Sequence, residues 1–234
     1  MAFNDFSAES PENYEQKSIC CFVVDVSGSM SGSPIDELNK GLQEFHAEIA
    51  KDSMTANRLE IAVVEFSSSV DIIVQPALVD SFSMPNLTVK GSTKMVDGVR
   101  EAIGLVEDRK DWYKQTGQPY LRPWIILITD GAPDSDQDVS GLASEIENGT
   151  KNKKYVFLPI GVQGADMDVL NQIAGYYQDS NDNWEKMQAM ILQGLKFSEF
   201  FKWVSASMSI VAGSKDGDKV NLPDPSDWMG GFKI

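Results

Sequence analysis

The sequence predicts a doubly wound α/β fold, with a mostly parallel sheet of about six strands, one antiparallel edge strand and helices on both faces. Short apolar runs alternate along the chain with segments in which apolar residues recur every three or four positions. The runs are apolar throughout, which is typical of parallel strands buried on both faces. One pair of runs is separated by only three serines, which favours a hairpin.

The first strand and the first long helix are close together in the sequence. Residues 19–26 form an apolar run that contains Asp25 near its end, and they predict a central strand. Ser33 and Pro34 then supply an N-cap and a proline at the first helical position. The apolar positions of this helix alternate between spacings of three and four, at Ile35, Leu38, Leu42, Phe45 and Ile49.

The hairpin and a second long helix come next. Residues 59–66 and 70–74 are the two runs joined by serines, so the second run is predicted to lie antiparallel at an edge of the sheet. A glycine, a serine and a threonine at 91–93 precede a helical pattern. Its apolar positions are Val96, Val99, Ile103 and Val106.

The second half of the chain repeats the alternation of strands and helices. Residues 124–129 and 155–162 predict two buried strands, and residues 190–192 predict a short one. In the last helix Trp203 lies off the main apolar stripe, where we expect it to be exposed to solvent. The three helical patterns are marked by Val139, Leu142 and Ile146, by Met167, Leu170 and Ile173, and by Phe197, Phe200, Phe201, Val204, Met208 and Val211.

These elements predict one folded domain over residues 17–212. It lies between an acidic N-terminal tail, residues 1–16, and an irregular C-terminal tail, residues 213–234, in which Gly and Pro recur. We expect Trp228 and Phe232 to anchor the C-terminal tail onto the domain.

Negative charge is concentrated in three parts of the chain. The formal net charge of −15 disfavours nucleic acids and anionic membranes as partners. The excess lies in three blocks without Lys or Arg, with four acids in residues 1–16, six in 130–148 and five in 165–185. The two internal blocks follow predicted strands, so we expect them to surround one edge of the sheet.

The compartment is predicted from the absence of targeting signals. The sequence starts without a basic and apolar leader, and no stretch approaches the ~20 apolar residues of a membrane span. We therefore expect a cytoplasmic protein. Cys20 and Cys21 are adjacent on a predicted strand and point to opposite faces, so we expect two buried free thiols.

Oxygen-bearing side chains leave several elements at the same edge of the predicted sheet, because the carboxyl ends of parallel strands meet there. Carboxylates and hydroxyls without Cys or His suit Mg²⁺ or Mn²⁺, and Ca²⁺ less well. The sequence therefore predicts a divalent metal site. Its candidate ligands are Asp25, Ser27 and Ser29 after the first strand, Thr93 before the second helix, and Asp130 after the strand 124–129.

A catalytic interpretation of the same edge stays open. Asp25 at a strand end also fits the nucleophile of a Mg²⁺-dependent phosphohydrolase or a phospho-acceptor, although Ser27 stands where such proteins usually need a second Asp. The only histidine, His46, lies in the middle of the first helix, where we expect it to be partly exposed and distant from the site.

A second acidic set reproduces the spacing of an EF-hand calcium loop. Val139 occupies the position of the turn glycine, and a strand leads in where a helix would be needed. We therefore expect a solvated loop, with Asp138 or Ser140 capping the next helix. The four acids are Asp134, Asp136, Asp138 and Glu145.

The predicted metal ligands resemble the metal-ion-dependent adhesion site (MIDAS) of von Willebrand factor A domains, and the likeness covers residues 17–212. Several segments are more narrowly similar to a bacterial cytoplasmic branch, the TerY-type group associated with tellurium resistance. They read DVSGSMSGSPIDELNKGL, GSTKM, RPWIILITDGAPD and LKFSEFFKWVSASMSIV. One departure is Lys94, which follows Thr93 where this group often has proline.

The resemblance implies that Asp25, Ser27, Ser29 and Thr93 bind the metal and that Asp130 binds it directly or through water. It also implies a non-enzymatic adaptor or scaffold in a stress-response or tellurium-resistance complex, with a carboxylate of a protein partner completing the metal coordination. Kinase-like or phosphatase-like partners are implied as well. Since the acidic blocks are expected around the site, we expect a basic surface beside the docking carboxylate.

Overall fold

The computed structural model describes residues 11, 13–162, 164–179, 181–215 and 218–229. The strands are β1 (Ser18–Asp25), β2 (Leu59–Phe66), β3 (Val70–Leu78), β4 (Trp124–Thr129), β5 (Val156–Gly161), β6 (Tyr176–Gln178), β7 (Trp184–Lys186) and β8 (Met190–Ile191). The helices are α1 (Ser33–Ile49), α2 (Ser53–Arg58), α3 (Met95–Thr116), α4 (Val139–Lys151), α5 (Met167–Ile173) and α6 (Phe197–Gly213). Single 3-10 turns cover Gly28–Met30 and Val79–Ser81.

Six strands form one sheet in the order β3-β2-β1-β4-β5-β8. Each neighbouring pair is parallel except β2 with β3. The predicted fold class, a mostly parallel six-stranded sheet with one antiparallel edge strand, is therefore confirmed. The strands β6 and β7 pair only with each other, as a small separate hairpin.

The core lies on both faces of β1, which is buried along its whole length. On one face α1 and α6 cover Phe22, whose ring centroid lies 5.1 Å from that of Phe45 and 5.4 Å from that of Phe201. On the other face α3, α4 and α5 cover Cys21 and Val23. We call the end of the sheet where β1, β2, β4 and β5 finish the carboxyl edge, and the end where they begin the amino edge.

The predicted strands and long helices are confirmed, with differences at several boundaries. β3 continues beyond the expected residue 74 to Leu78, and the short strand predicted at 190–192 covers two residues. The prediction that Ser33 caps α1 is wrong, because Gly32 is the cap at a φ of 82° and Ser33 is already helical. Gly32 can adopt this left-handed conformation since it has no Cβ. The helix α2 and the hairpin β6-β7 were not predicted.

The C-terminal segment packs onto α6. Trp228 is 1% exposed, and its ring centroid lies 4.9 Å from that of Phe200 and 5.4 Å from that of Trp203. The expectation that Trp203 is exposed is wrong: it is 9% exposed, and its indole Nε1 donates a hydrogen bond to the carbonyl oxygen of Pro223 at 2.8 Å. The anchoring role of Trp228 is confirmed, whereas Phe232 lies outside the described residues.

Cys20 and Cys21 are buried and free, as expected. Burial raises the pKa of the Cys21 thiol to about 12. Among the described residues, the helices lack the combination of length and apolar character that a membrane-spanning segment requires. The domain limits at residues 17 and 212 stay a prediction.

Candidate metal centre

Asp25 ends β1 at the carboxyl edge and has no exposed surface. Its Oδ1 accepts a hydrogen bond from the backbone N–H of Ser27 at 2.8 Å, and its Oδ2 accepts one from the hydroxyl of Thr129 at 2.5 Å. Burial raises the pKa of the Asp25 carboxyl, and the hydrogen bonds from Ser27 and Thr129 oppose that rise. Within the described ranges, Lys and Arg make no ion pair with this carboxyl group. A buried carboxylate of this kind is stabilised by a nearby cation.

Two serine hydroxyls connect this region to the loop after β4. The Oγ atoms of Ser27 and Ser29 lie 3.1 Å apart, at hydrogen-bond distance. The Ser29 hydroxyl also donates to Oδ1 of Asp130 at 2.7 Å. Ser27 is buried and Ser29 is exposed. The hydroxyl pair therefore leads from the buried carboxylate Asp25 toward solvent, where Asp130 lies.

Thr93 lies near these serines, on the loop of residues 90–94. Backbone hydrogen bonds hold this loop against the ends of β1 and β2. A Cβ atom built on Gly131 would lie 3.8 Å from Ser29 Oγ and 4.0 Å from Thr93 Cγ2. The three loops that carry the predicted ligands therefore meet around Gly131. The loop bonds run from Lys90 N to Val26 O at 2.6 Å, from Gly28 N to Gly91 O at 3.1 Å and from Lys94 N to Ser67 O at 2.9 Å.

Gly91 lets this loop approach the β2-β3 turn. Its φ of 49° is left-handed, and a Cβ atom at this position would lie 2.2 Å from the hydroxyl oxygen of Ser68. The left-handed backbone conformation and the lack of room for a side chain therefore both require glycine at position 91. The close approach places the Thr93 loop against the end of β2.

The structure thus brings the five candidate ligands together, and their role as ligands stays a prediction. Carboxylate and hydroxyl oxygens are hard donors, so the set fits Mg²⁺, Mn²⁺ or Ca²⁺ and not a soft metal. In the part of the chain that the structure describes, no three His, Cys, Asp or Glu side chains form a group that could hold a metal ion. A metal here would therefore depend on the hydroxyl groups as well as on the carboxylates. The five residues are Asp25, Ser27, Ser29, Thr93 and Asp130.

The residues with EF-hand spacing do not converge on one point. Asp138 caps α4 by accepting a hydrogen bond from the Gly141 N–H at 2.9 Å, which confirms one of the two expected caps. Arg100 forms ion pairs with Asp138 at 3.2 Å and with Glu145 at 2.7 Å. Asp134 is bonded to the Thr93 loop. Asp134, Asp138 and Glu145 are thus engaged by other groups of this chain, and among the described residues the four acids do not form a metal-binding group.

The hydrogen-bonding roles of two residues at the site were not predicted from the sequence, although Thr129 was expected at this edge together with Asp130. Thr129 and Asp134 bind candidate ligands, but their partners are distant in the sequence, at 104 residues for Asp25 and 41 for Thr93. The available signal is that Thr129 immediately precedes Asp130 at the end of a buried strand. Its hydroxyl therefore emerges at the carboxyl edge as well.

His46 lies far from this site. Its Nε2 is 3.0 Å from the carbonyl oxygen of Val79 and 3.2 Å from that of Phe82. These two residues follow β3, whose end pairs with the beginning of β2 at the amino edge. The expectation of a half-buried histidine distant from the candidate ligands is confirmed.

The acidic blocks surround the carboxyl edge only in part. Gly164 lies beside Asp130, since a Cβ atom built on Gly164 would be 3.6 Å from the Asp130 carbonyl oxygen. The acidic block of residues 165–185 therefore begins at this edge, with Asp166 and Asp168. Its other acids are carried by the β6-β7 hairpin. That hairpin follows Gly175, which packs against Phe157 near the beginning of β5. The expectation that both blocks surround the site is therefore wrong for Asp179, Asp182 and Glu185.

Comparison with known proteins agrees with this architecture. The sequence model of the family described as von Willebrand factor type A domain matches residues 20–191, a range that contains all five candidate ligands. A von Willebrand factor A domain-containing protein of Dictyostelium discoideum is 26% identical over 217 residues, which cover 88% of this chain and 23% of that protein. The chain thus spans less than a quarter of the length of this curated relative.

Several solved structures with the same fold are those of pilus or matrix proteins. The pilus adhesin SpaC of Lactobacillus rhamnosus GG is 13% identical at a TM-score of 0.63, over 86% of this chain and 32% of that one. The vWF domain of the pilus tip protein Mfa5 of Porphyromonas gingivalis is 12% identical at a TM-score of 0.58, over 87% of this chain and 99% of that one. Proximal thread matrix protein 1 of the mussel byssus, with a zinc-occupied MIDAS motif, is 16% identical at a TM-score of 0.54, over 82% of this chain and 46% of that one. At these identities the likeness shows the fold.

Proposed function

The chain belongs to the von Willebrand factor type A domain family, and we propose that it is a non-enzymatic module that binds a divalent metal ion and, through it, a carboxylate of a protein partner. The observation that carries the proposal is the meeting of three loops at Gly131, beside a fully buried carboxylate, Asp25, which is linked through Ser27 and Ser29 to Asp130. The zinc-occupied MIDAS motif of the mussel matrix protein supports a metal-binding role.

The metal would be held by Asp25, Ser27, Ser29 and Thr93, with Asp130 binding directly or through water. Mg²⁺ is the preferred ion and Mn²⁺ the second, because the donors are hard oxygens in a compact arrangement. A bound dication would supply an electrophilic coordination position that a carboxylate from another molecule can fill. With at most two carboxylates around it, the ion would keep its attraction for a further anion.

The chain's own residues favour binding over hydrolysis. Asp25 has no exposed surface, which leaves it poorly placed to attack a phosphate. His46 lies at the amino edge and cannot serve as a base for a reaction at the other end of the sheet. The alternative, a Mg²⁺-dependent phosphohydrolase or phospho-acceptor that uses Asp25, receives less support from this geometry.

The acidic residues of the carboxyl edge support a partner with a basic surface around its docking carboxylate. Asp134, Asp136 and Asp168 carry negative charge near the candidate ligands, and they repel a partner face that is itself acidic. The basic residue Arg100 already forms ion pairs with two acids of this chain, Asp138 and Glu145. A kinase-like or phosphatase-like protein is the partner that we propose, on the resemblance to the TerY-type group.

The cellular setting that we propose is a cytoplasmic stress-response complex, of the kind associated with tellurium resistance. It rests on the TerY-like segments of the sequence and on the two free, buried thiols. Co-purification from the native host with and without a chelator would identify the partner. Recovery of the same proteins in both preparations would contradict a metal-dependent complex.

A melting experiment tests the metal site directly. We expect Mg²⁺ or Mn²⁺ to raise the melting temperature, because a ligand that binds only the folded state stabilises it. Asp25→Asn should abolish the rise, and Ser29→Ala, a milder change at an exposed residue, should reduce it. The matched control is Asp111→Asn on the exposed surface of α3, which should keep the full rise. An unchanged melting temperature of the original protein at millimolar metal would contradict the proposal.

A turnover assay separates the two functions. We expect no hydrolysis of p-nitrophenyl phosphate in the presence of Mg²⁺. If the protein hydrolyses this substrate, and Asp25→Asn abolishes the activity while Asp111→Asn preserves it, the result would support the phosphohydrolase and contradict the non-enzymatic binding module.

A further inference from the structure

Thr129 makes the shortest hydrogen bond to the buried carboxylate of the candidate site. It is the last residue of β4, it has no exposed surface, and its Oγ1 lies 2.5 Å from Asp25 Oδ2. The pairing of β1 with β4 brings the two residues side by side, since Val24 and Ile128, which precede them, are register partners. The contact is therefore set by the sheet itself and not by a loop.

The direction of this hydrogen bond follows from the other neighbours of the hydroxyl. The backbone N–H of Gly131 donates to Thr129 Oγ1 at 3.2 Å, so the oxygen acts as an acceptor there. The single hydroxyl proton is left for Asp25 Oδ2 or for the carbonyl oxygen of Gly131, which is 3.5 Å away. The carboxylate is one ångström closer and is charged, so it receives the proton in the stronger bond.

The two oxygens of Asp25 are consequently fixed by different donors. Oδ1 is held by the Ser27 N–H, which belongs to the turn after β1, and Oδ2 is held by Thr129 on the neighbouring strand. Two donors on separate elements fix the plane of a carboxylate more firmly than one donor can. Each carboxylate oxygen has two lone pairs, so these two bonds leave capacity on both oxygens for a cation.

We infer that Thr129 is a positioning residue of the metal site, which orients Asp25 so that a free lone pair faces the hydroxyls of Ser27 and Ser29. The inference rests on the proposed function, because it needs a metal to bind there. Thr129 is assigned a positioning role and not a ligand role, because its hydroxyl proton is donated to Asp25 and its oxygen accepts from the Gly131 N–H.

Calorimetric titration of the full chain with Mn²⁺ tests this role. Thr129→Val keeps the shape and removes the hydroxyl, and we expect the affinity for Mn²⁺ to fall about 10- to 100-fold, as for other residues that orient a metal ligand. Thr129→Ser restores the hydroxyl and should recover most of the affinity. The matched control is Thr150→Val, which removes a buried hydroxyl that bonds Ile146 O at 2.7 Å within α4, and it should bind Mn²⁺ as the original protein does.

A second pair of variants keeps the test decisive if Thr129→Val folds poorly. Thr129→Ser and Thr129→Ala both lack the methyl group and differ only in the hydroxyl, so a difference in their Mn²⁺ affinities reports the hydrogen bond. Equal affinity in the two, or full affinity in a folded Thr129→Val, would overturn the positioning role while leaving the metal site intact. Absence of Mn²⁺ binding in the original protein would overturn the proposed function and this inference together.

Discussion

Thr93 and Asp134 exchange two hydrogen bonds. The Thr93 N–H donates to Oδ1 of Asp134 at 3.2 Å, and the Asp134 N–H donates to the carbonyl oxygen of Thr93 at 3.0 Å. The reciprocal pair ties the loop before α3 to the loop after β4, and each of these loops carries a candidate metal ligand. The distance between Thr93 and Asp130 therefore depends on an acid that is not itself a ligand.

Loss of this tether should weaken metal binding. We expect Asp134→Ala to lower the affinity for Mn²⁺ about tenfold, because Thr93 is then held less firmly beside the other donors. Asp136→Ala is the matched control, since it removes the same charge from the same exposed loop. Calorimetric titration compares them. Equal losses in the two variants would mean that charge, and not the hydrogen-bonded tether, determines the affinity.

Replacement of Gly91 should cost stability. An alanine there must adopt a φ of 49° and must displace the Ser68 hydroxyl, so we expect Gly91→Ala to reduce the free energy of unfolding by about 1–3 kcal/mol. Gly104→Ala is the control within α3, where a Cβ atom meets nothing within 4 Å. That change should stabilise the helix by about 0.5–1 kcal/mol. Urea unfolding measures both, and a neutral Gly91→Ala would contradict the tight approach of the two loops.

Removal of one partner from a buried ion pair at the amino edge should reduce stability strongly. Arg109 bonds both carboxylate oxygens of Glu60 at 2.8 Å, and the Tyr113 hydroxyl donates to the same carboxylate at 2.7 Å. Burial, and then the charge of Glu60, raise the pKa of Tyr113 well above its usual value. We expect Glu60→Gln to lower the free energy of unfolding by about 3–5 kcal/mol, because it leaves a buried guanidinium without this carboxylate.

The control for Glu60→Gln is an exposed pair on the same helix. Lys114 lies 2.7 Å from Asp111, and both side chains are more than half exposed. Asp111→Asn should therefore cost no more than about 1 kcal/mol. Similar effects of the two substitutions in denaturant unfolding would show that burial does not strengthen the Glu60 pair.

We expect the indole ring of Trp228 to hold the C-terminal segment against the domain and to stabilise the fold. Trp228 is buried against Phe200 and Trp203, so Trp228→Ala should reduce the free energy of unfolding by about 3–5 kcal/mol. Leu222→Ala is the control in the same segment, where the side chain is exposed. It should change stability by no more than about 0.5 kcal/mol. Equal unfolding midpoints for the two variants would exclude Trp228 as the anchor.

The parts of the fold that were predicted correctly are those with long periodic signals. The uninterrupted apolar runs of β1 and β4 and the regular spacing in α1 and α6 each extend over several turns or strand positions. The helix α2 has only six residues, too few for a period to appear. The strands β6 and β7 have three residues each and are mostly exposed, so they depend on pairing with each other and on the turn that Asp179 stabilises.

The candidate site could be predicted as a set of residues but not as a network. The rule that parallel strands end at one edge was enough to place Asp25 near Asp130. The roles of Thr129 and Asp134 could not be found in this way, because a hydroxyl and a loop carboxylate acquire them only through partners distant in the sequence. Trp203 illustrates the same limit, since its burial depends on where residues near Pro223 lie.

The two thiols of β1 have a consequence for measuring how the fold opens. Cys20 and Cys21 have no exposed surface on the central strand, and burial raises the pKa of both. Alkylating reagents attack the exposed thiolate, so they can modify these residues only after β1 separates from its neighbours. The rate of alkylation in native buffer then reports large-scale opening of the sheet, without denaturant or an introduced label. The chain therefore contains its own reporter of unfolding kinetics.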